Sequence, residues 1–217
     1  GEAKAQGALN ANPQMTTRVR TIAERLIPHV DVFREDALDW DWQVNVLQSD
    51  ELNAWAMPGG KIAFYSGIIE QLSLTDEEIA AIMGHEIAHA LREHSRERAS
   101  QQAVTSLITQ GGAVIGSVLS GYDLTGLSDP AQMVAQLTFG LPNSRLHETE
   151  ADRMGVELAA RAGYDPRAAV VVWQKMAKLT GGSSGPAILS THPTNEARIA
   201  DLQNYSQKVM GLYQQAS

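Results

Sequence analysis

Two histidines four residues apart, His85 and His89, are the strongest chemical signal in this sequence, and Glu86 directly follows the first of them. On an α-helix this spacing places both imidazoles on one face, one turn apart, so both can bind the same metal ion. Zinc is the ion that this arrangement favours. Glu86 would project beside the metal and take a proton from water, which predicts hydrolytic chemistry. The alternative is a buried helix with one hydrogen-bonded histidine and one surface histidine.

The helix that must carry this motif is predicted from signals of its own, over residues 75–98. Thr75 and Glu78 are spaced as a capping box, in which the threonine hydroxyl accepts a backbone N–H hydrogen bond and the glutamate reaches back to the helix start. Asp76 and Glu77 add negative charge in the first turn, where the helix dipole favours it. The segment becomes strongly charged after residue 91, so we expect the helix to begin buried and to end exposed.

A second segment, residues 144–162, offers the oxygen ligand that a site with two histidines lacks. Its sequence predicts a helix that ends at Gly163, and Glu148 and Asp152, four residues apart, face the same side of it. Zinc in a hydrolase usually takes three protein ligands and leaves the fourth position to water. Asp152 could accept a hydrogen bond from the ring nitrogen that a metal-binding histidine does not use for the metal, which would fix the orientation of that ring.

The size and charge of the chain restrict the classes of protein to which it can belong. With 217 residues, of which 43% are hydrophobic, it can bury a substantial core. We expect a flexible tail over residues 1–14 and a single domain over residues 15–217. The net charge of −8 and the lack of a basic stripe argue against nucleic-acid binding. The absence of cysteine excludes disulfides and thiolate metal ligands.

The first third of the chain predicts one helix and three strands. A helix is expected from Thr16 to Ile27, and alternating apolar residues predict a strand over residues 40–47. Two further strands, residues 53–57 and 61–65, are joined by a Pro-Gly pair typical of a type II turn, so they form a hairpin. These elements predict a small antiparallel sheet.

The strand before the metal helix is a candidate substrate-binding edge. An extended peptide could pair with its free edge, as in β-strand addition. The alternative is an ordinary edge strand with no role in binding. The candidate substrate-binding residues are Asn53, Ala54, Trp55 and Ala56.

Residues 99–122 carry no charge, which raises the question of a membrane span. Polar residues interrupt the apolar run and its glycines weaken a helix there, so we expect no span. The sequence instead predicts small-residue helices packed on the domain, or a mobile flap over residues 99–130. Association of the uncharged segment with a membrane surface or a partner is the alternative. The chain begins at Gly1 without methionine, which suggests processing, and a lipid anchor before it would be a second route to a membrane.

Other known arrangements of metal ligands fit the sequence less well. The metzincin pattern requires a glycine and a histidine where this chain has Arg92 and Ser95, and a deformylase-like site requires a cysteine. His94 follows the second motif histidine by five residues, about 140° around a continuous helix, which predicts a surface position. His29 and His147 have no spacing that would place them in a site.

The motif at residues 85–89 and the Glu-Thr-Glu-Ala-Asp sequence at residues 148–152 together resemble the zinc metallopeptidase family of the CAAX prenyl endopeptidases and HtpX. The resemblance is nearest to the soluble periplasmic branch, which includes outer-membrane lipoproteins, and extends from Asn53 to Pro193. It implies that Glu148, rather than Glu150, is the third ligand of one zinc ion per chain. It also implies that Glu86 is the general base and that Asp152 supports a ligand.

His192 lies just before a helix predicted over residues 194–210, and the sequence allows three interpretations of its role. It could donate to the oxyanion that forms when water attacks a peptide carbonyl. The resemblance implies a second role, because the corresponding histidine in related periplasmic proteases is thought to cap the zinc and hold the enzyme idle. The third interpretation is a loop histidine without a catalytic role. Arg145 is a weaker candidate for the oxyanion role.

The sequence therefore predicts a mainly helical α+β domain of the zincin type. Its expected function is that of a zinc-dependent endopeptidase acting on unfolded or misassembled polypeptides. The resemblance implies a periplasmic or outer-membrane location in bacterial envelope quality control, and leaves the oligomeric state open. Because the family's long transmembrane helices are missing from this sequence, prenylated substrates are not expected. The alternative is a latched or inactive metal-binding scaffold or chaperone, against which Glu86 argues, since a scaffold needs no base.

Overall fold

The structure is a computed structural model that describes residues 7–94, 96–97, 143–179 and 187–217. Helices predominate in it, and three short strands form one sheet, which confirms the predicted mainly helical α+β class. No described helix combines the length and apolar character that a membrane span requires. The uncharged segment 99–122 and the predicted flap at 99–130 lie outside the described residues.

The elements are numbered in chain order. The strands are β1 (Gln43–Leu47), β2 (Ala54–Met57) and β3 (Lys61–Tyr65). The α-helices are α1 (Pro13–Leu26), α2 (Ser66–Gln71), α3 (Asp76–Leu91), α4 (Arg145–Arg161), α5 (Ala168–Lys178), α6 (Ala187–Thr191), α7 (Glu196–Lys208) and α8 (Met210–Ala216). Two 3₁₀ segments, Ile27–Val32 and Glu35–Asp39, connect α1 to β1.

The sheet has the order β1-β3-β2, and its hairpin is the predicted one. In the turn, the N–H of Gly60 donates to the carbonyl of Met57 at 3.1 Å, and Gly59 has a φ of +88°, as a type II turn requires. β1 is shorter than predicted, and it runs parallel to β3. The sheet is therefore mixed rather than wholly antiparallel, because the chain passes from β1 to the far side of β3 before it forms β2.

The N-terminal segment is more structured than a tail. Helix α1 begins at Pro13 rather than Thr16, and the side chain of Asn12 accepts a hydrogen bond from its first turn. Before it, the backbone N–H of Asn10 donates to the carbonyl of Val46 in β1 at 2.7 Å. The last part of the predicted tail therefore belongs to the folded domain.

Helix α3 lies at the centre of the fold, packed against α1, α4, α5 and β2. Every residue from Glu78 to Leu91 is buried. Two glycines lie where it crosses α4. A Cβ atom at Gly84 would lie 2.6 Å from the carbonyl oxygen of Gly155, and one at Gly155 would lie 2.5 Å from the backbone nitrogen of His85. The two backbones therefore touch, and the side chains beside the crossing are held close together.

Helix α3 ends at Leu91, earlier than the predicted residue 98. Glu93 has a φ of +53°, in the left-handed region, so the chain turns back there. Arg34 holds this turn: its Nη1 donates to the carbonyl of Leu91 at 3.1 Å and lies 2.9 Å from Oε1 of Glu93. His94 is consequently directed back toward the helix rather than outward.

Candidate metal centre

Four buried side chains converge at one point: His85 and His89 from α3, Glu148 from α4 and His192 from the segment after α6. Each offers a ligand atom, and these atoms lie within 4.8 Å of one another. The Nε2 atoms of His85 and His89 are 3.1 Å apart, and Nε2 of His89 lies 3.3 Å from Oε1 of Glu148. Nδ1 of His192 lies 2.9 Å from the same carboxylate oxygen.

These distances fit a zinc ion. A tetrahedral site with metal–nitrogen bonds of about 2.0–2.1 Å places its ligand atoms about 3.3 Å apart. The separations given above lie close to that value, and the set consists of the nitrogen and oxygen donors that zinc accepts. Glu150, the alternative ligand, lies outside the cluster in the described structure.

The electrostatics of the cluster favour an ionised Glu148. Burial opposes its ionisation, but the charge and hydrogen bond of His192 and the hydrogen bond of His89 hold the pKa of Glu148 below its ordinary value. For His192, burial acts to lower the pKa, and the carboxylates of Glu86 and Glu148 overcome it and raise the pKa. Burial lowers the pKa of His89, which keeps this imidazole neutral, the state in which it binds metal.

Glu86 lies beside the cluster on the same helix. Its Oε1 is 3.5 Å from Nε2 of His192, and only 3% of the residue is exposed. Burial raises the pKa of Glu86 above its ordinary value. This position is the one that the sequence motif predicts for a general base.

Asp152 lies next to His85, on the side away from the cluster. Its Oδ1 lies 3.0 Å from Nδ1 of His85, the ring nitrogen that faces away from the cluster. The guanidinium of Arg198 makes a two-point contact with the Asp152 carboxylate at 2.5 and 2.8 Å, and its Nη1 lies 2.7 Å from Oε2 of Glu148. It also lies over the ring of Trp173, 3.9 Å from the centroid.

Arg198 and Asn143 are site residues that sequence reasoning missed. Nδ2 of Asn143 lies 3.1 Å from Nδ1 of His192 and donates to the carbonyl of Thr191, while Arg198 donates to the carbonyl of Pro193 at 3.0 Å. The two side chains therefore hold the segment that carries His192. The available signal for Arg198 was its place in the first turn of the helix that follows the His-Pro pair.

His94 is buried, so its predicted surface position is wrong. Its Nδ1 lies 2.9 Å from Nδ1 of His89, because α3 ends before His94 and the chain turns back. The ring stacks on that of His147 with centroids 4.2 Å apart, and His147 contacts Glu97 at 3.1 Å. Burial lowers the pKa of His94 to about 4.

The remaining candidates lie outside the cluster. Ala54, Trp55 and Ala56 form most of β2, which packs against α3, and the carbonyl of Asn53 accepts a hydrogen bond from β3. Arg145, at the start of α4, lines an open cavity of about 800 Å³ with Glu148 and Arg198, and it makes no described contact with the cluster.

Comparison with known proteins finds one matching family and several similar relatives. The model of a family described as "Peptidase family M48" matches residues 13–206. The mitochondrial metalloendopeptidase OMA1 of Saccharomyces cerevisiae is 31% identical over 194 residues, covering 87% of this chain and 53% of the relative. OMA1 of Bos taurus is 36% identical over 171 residues, covering 75% of this chain and 32% of the relative. The beta-barrel assembly-enhancing protease of Escherichia coli is 28% identical over 215 residues, covering 95% of this chain and 42% of the relative. The chain thus spans about half of these relatives' length or less.

Proposed function

This chain belongs to peptidase family M48, and on that premise we propose that it is a zinc-dependent metalloendopeptidase that cleaves unfolded or misassembled polypeptides. The observation that carries the proposal is the buried cluster of two imidazoles from one helix and a carboxylate from the next, with Glu86 beside it. Spacing, burial and donor chemistry all suit a zinc ion at this point.

In the proposed site, His85, His89 and Glu148 hold one zinc ion. Zinc, when bound, supplies a Lewis acid that polarises a carbonyl group and lowers the pKa of water to about 7. Asp152 contacts Nδ1 of His85, so this ring presents Nε2 to the metal position. Arg198 compensates the charge of both buried carboxylates, which would otherwise repel each other.

Glu86 acts as the general base of the proposed reaction. It takes a proton from the water that attacks the peptide carbonyl and delivers it to the leaving amine, so one carboxylate serves both halves of the cleavage. General acid–base catalysis of this kind contributes roughly 10²–10⁴-fold to the rate. The burial of Glu86 supports this role because it raises the pKa of the carboxyl group and so makes the carboxylate a stronger base.

The proposed substrate is an extended segment that pairs with β2 at Asn53, Ala54, Trp55 and Ala56. Strand β2 lies against the helix that carries the proposed metal ligands. A segment added to this strand would extend the sheet beside that helix. Unfolded polypeptides offer such extended segments readily, because their backbone groups are not yet paired within a fold.

The relatives support two cellular settings. The E. coli relative is named for enhancing β-barrel assembly, and the yeast and bovine relatives are named as mitochondrial. We assign the chain to the bacterial envelope, in a periplasmic or outer-membrane location, where misassembled polypeptides would be its substrates. This assignment extends the resemblance to the periplasmic branch.

A latched state is a second proposal, and the position of His192 favours it. Its Nδ1 lies 3.2 Å from Nε2 of His85 and 2.9 Å from Glu148, close enough to occupy the fourth metal position that a catalytic site leaves to water. Replacement of His192 by alanine would then raise the rate of proteolysis. A lower rate would instead indicate an oxyanion donor, and an unchanged rate would leave His192 without a catalytic role.

The test is cleavage of unfolded casein together with zinc content, for the parent protein and for Glu86→Gln. We expect about one zinc per chain in both, with cleavage reduced at least 10²-fold in the variant. Glu77→Gln, the same change at an exposed position of the same helix, is the matched control and should cleave like the parent. Parent-like cleavage by Glu86→Gln would contradict the mechanism, and failure to bind zinc after metal loading would contradict the site.

A further inference from the structure

His89 has two ring nitrogens, and the structure gives each a different partner. Nε2 faces the cluster, 3.1 Å from Nε2 of His85 and 3.3 Å from Glu148. Nδ1 faces away from the cluster and lies 2.9 Å from Nδ1 of His94. The left-handed turn at Glu93 creates this contact, because a helix continued through residue 94 would carry His94 to the other side.

The hydrogen bonds allow one arrangement of protons when Nε2 of His89 binds a metal. The proton of a neutral imidazole is then on Nδ1, so His89 is the donor and Nδ1 of His94 is the acceptor. The proton of His94 must therefore be on its Nε2. That nitrogen lies 3.2 Å from Oε2 of Glu150, a carboxylate that can accept it.

His94 is itself held in place by Glu150 and by His147. Glu150 forms an ion pair with Arg92, the C-cap residue that follows helix α3. The ring of His147 stacks on the ring of His94, nearly parallel at 9° and with centroids 4.2 Å apart. Only 2% of His94 is exposed. A ring fixed in this way presents its acceptor nitrogen in one direction, toward His89.

We propose that His94 is a positioning residue that orients His89 for metal binding, and that Glu150 positions His94. This inference rests on the proposed function, because it assumes that His89 binds zinc through Nε2. The two metal-binding histidines would then have separate supports: Asp152 and Arg198 behind His85, and His94 and Glu150 behind His89. Partners of this kind typically contribute 10–100-fold to metal affinity.

Zinc affinity, measured by competition with a chromogenic chelator, tests the proposal without relying on catalysis. His94→Leu keeps much of the volume and removes the acceptor, and we expect its zinc affinity to fall 10–100-fold. His94→Asn returns an acceptor oxygen near the position of Nδ1 and should recover most of that loss. His29→Leu, which removes a half-buried histidine far from the cluster in sequence, should bind zinc like the parent.

A cobalt-substituted sample supplies a second readout. The visible absorption of cobalt reports the geometry of its ligands, so it should change in His94→Leu and return toward the parent spectrum in His94→Asn. If His94→Leu does not fold, Glu150→Ala takes its place, because Glu150 is 38% exposed and its loss leaves the core intact. We expect at least several-fold weaker zinc binding from Glu150→Ala.

The outcomes separate this inference from the function on which it rests. A folded His94→Leu variant with parent zinc affinity and parent cobalt spectrum would overturn the positioning role, while the parent's own zinc binding and cleavage would leave the proposed function standing. A parent protein that binds no zinc would overturn both. Weaker binding in His94→Leu, rescue by His94→Asn and no change in His29→Leu would support the role.

Discussion

One methyl group added at Gly155 should separate the two helices that carry the proposed metal ligands. The Cβ atom of an alanine there would lie 2.5 Å from the backbone nitrogen of His85 and 2.7 Å from the carbonyl carbon of Gly84, whereas ordinary contacts of this kind are 3.4–4 Å long. Backbone atoms inside a helix cannot rotate away as a side chain can. The helices must therefore move apart by about 0.9 Å, since a packed interior transmits such strain.

The expected loss of stability is moderate, and the expected loss of metal affinity is larger. Overpacking costs about 1–3 kcal/mol, and the better helix propensity of alanine offsets about 1 kcal/mol of it. A net cost of up to about 2 kcal/mol lowers the melting temperature of a chain of this size by at most roughly 4–8 °C. Metal sites, however, tolerate ligand displacements of only about 0.2 Å. The shift between α3 and α4 exceeds that several times, so we expect zinc affinity to fall at least tenfold.

The assay compares the parent, Gly155→Ala and Gly211→Ala by thermal unfolding of the metal-free protein and by chelator competition for zinc. Gly211 is the matched control, because it lies in helix α8 and no atom is within 4 Å of the added Cβ. Its replacement should leave zinc affinity unchanged and stabilise the fold by up to about 1 kcal/mol. If Gly155→Ala shows parent stability and parent zinc affinity, the close contact of the two helices does not hold the site together.

Three further predictions concern the capping box, the buried arginine and the metal. Thr75→Ala removes the hydroxyl that caps α3 and should lower the free energy of unfolding in urea by about 1 kcal/mol, whereas Thr75→Ser should keep most of it. Arg198→Met leaves the carboxylates of Asp152 and Glu148 buried without their cation, and a loss of about 3–5 kcal/mol in the same titration is expected; parent-like stability would show that the ion pairs contribute little. Removal of zinc by a chelator should lower the melting temperature, since a ligand at a thousand times its Kd stabilises the folded state by about 4 kcal/mol; an unchanged melting temperature would mean that no metal had been bound.

Features fixed by neighbouring residues were predictable from the sequence. The capping box of Thr75 and Glu78 is present, with both of its hydrogen bonds. The turn at residues 57–60 has the predicted type, and α4 ends where Gly163 adopts a φ of +72°. Each depends on hydrogen bonds and backbone angles within a few residues, so the local sequence determines it.

Features that depend on distant residues were not predictable. The early end of α3 is held by Arg34, which precedes Leu91 by 57 residues, and without that contact the continuous helix was the natural expectation. The position of His94 follows from this turn, which is why its predicted surface location failed. Arg198 has its partner Asp152 46 residues earlier in the chain. An arginine near a helix start has the sequence signature of an ordinary exposed residue, and only the packed structure shows what it contacts.

The separation of the cluster residues along the chain has a consequence for biogenesis. His85 and His192 are 107 residues apart, and Glu148 precedes His192 by 44 residues, yet all three side chains meet in one buried cluster. Contacts over such distances form only after long loops have closed, which is late in folding. A newly made chain therefore lacks a complete ligand set while its own backbone is still extended and open to cleavage. The proposed proteolytic chemistry becomes available only to a finished molecule, so the order of folding protects the unfolded copies from one another.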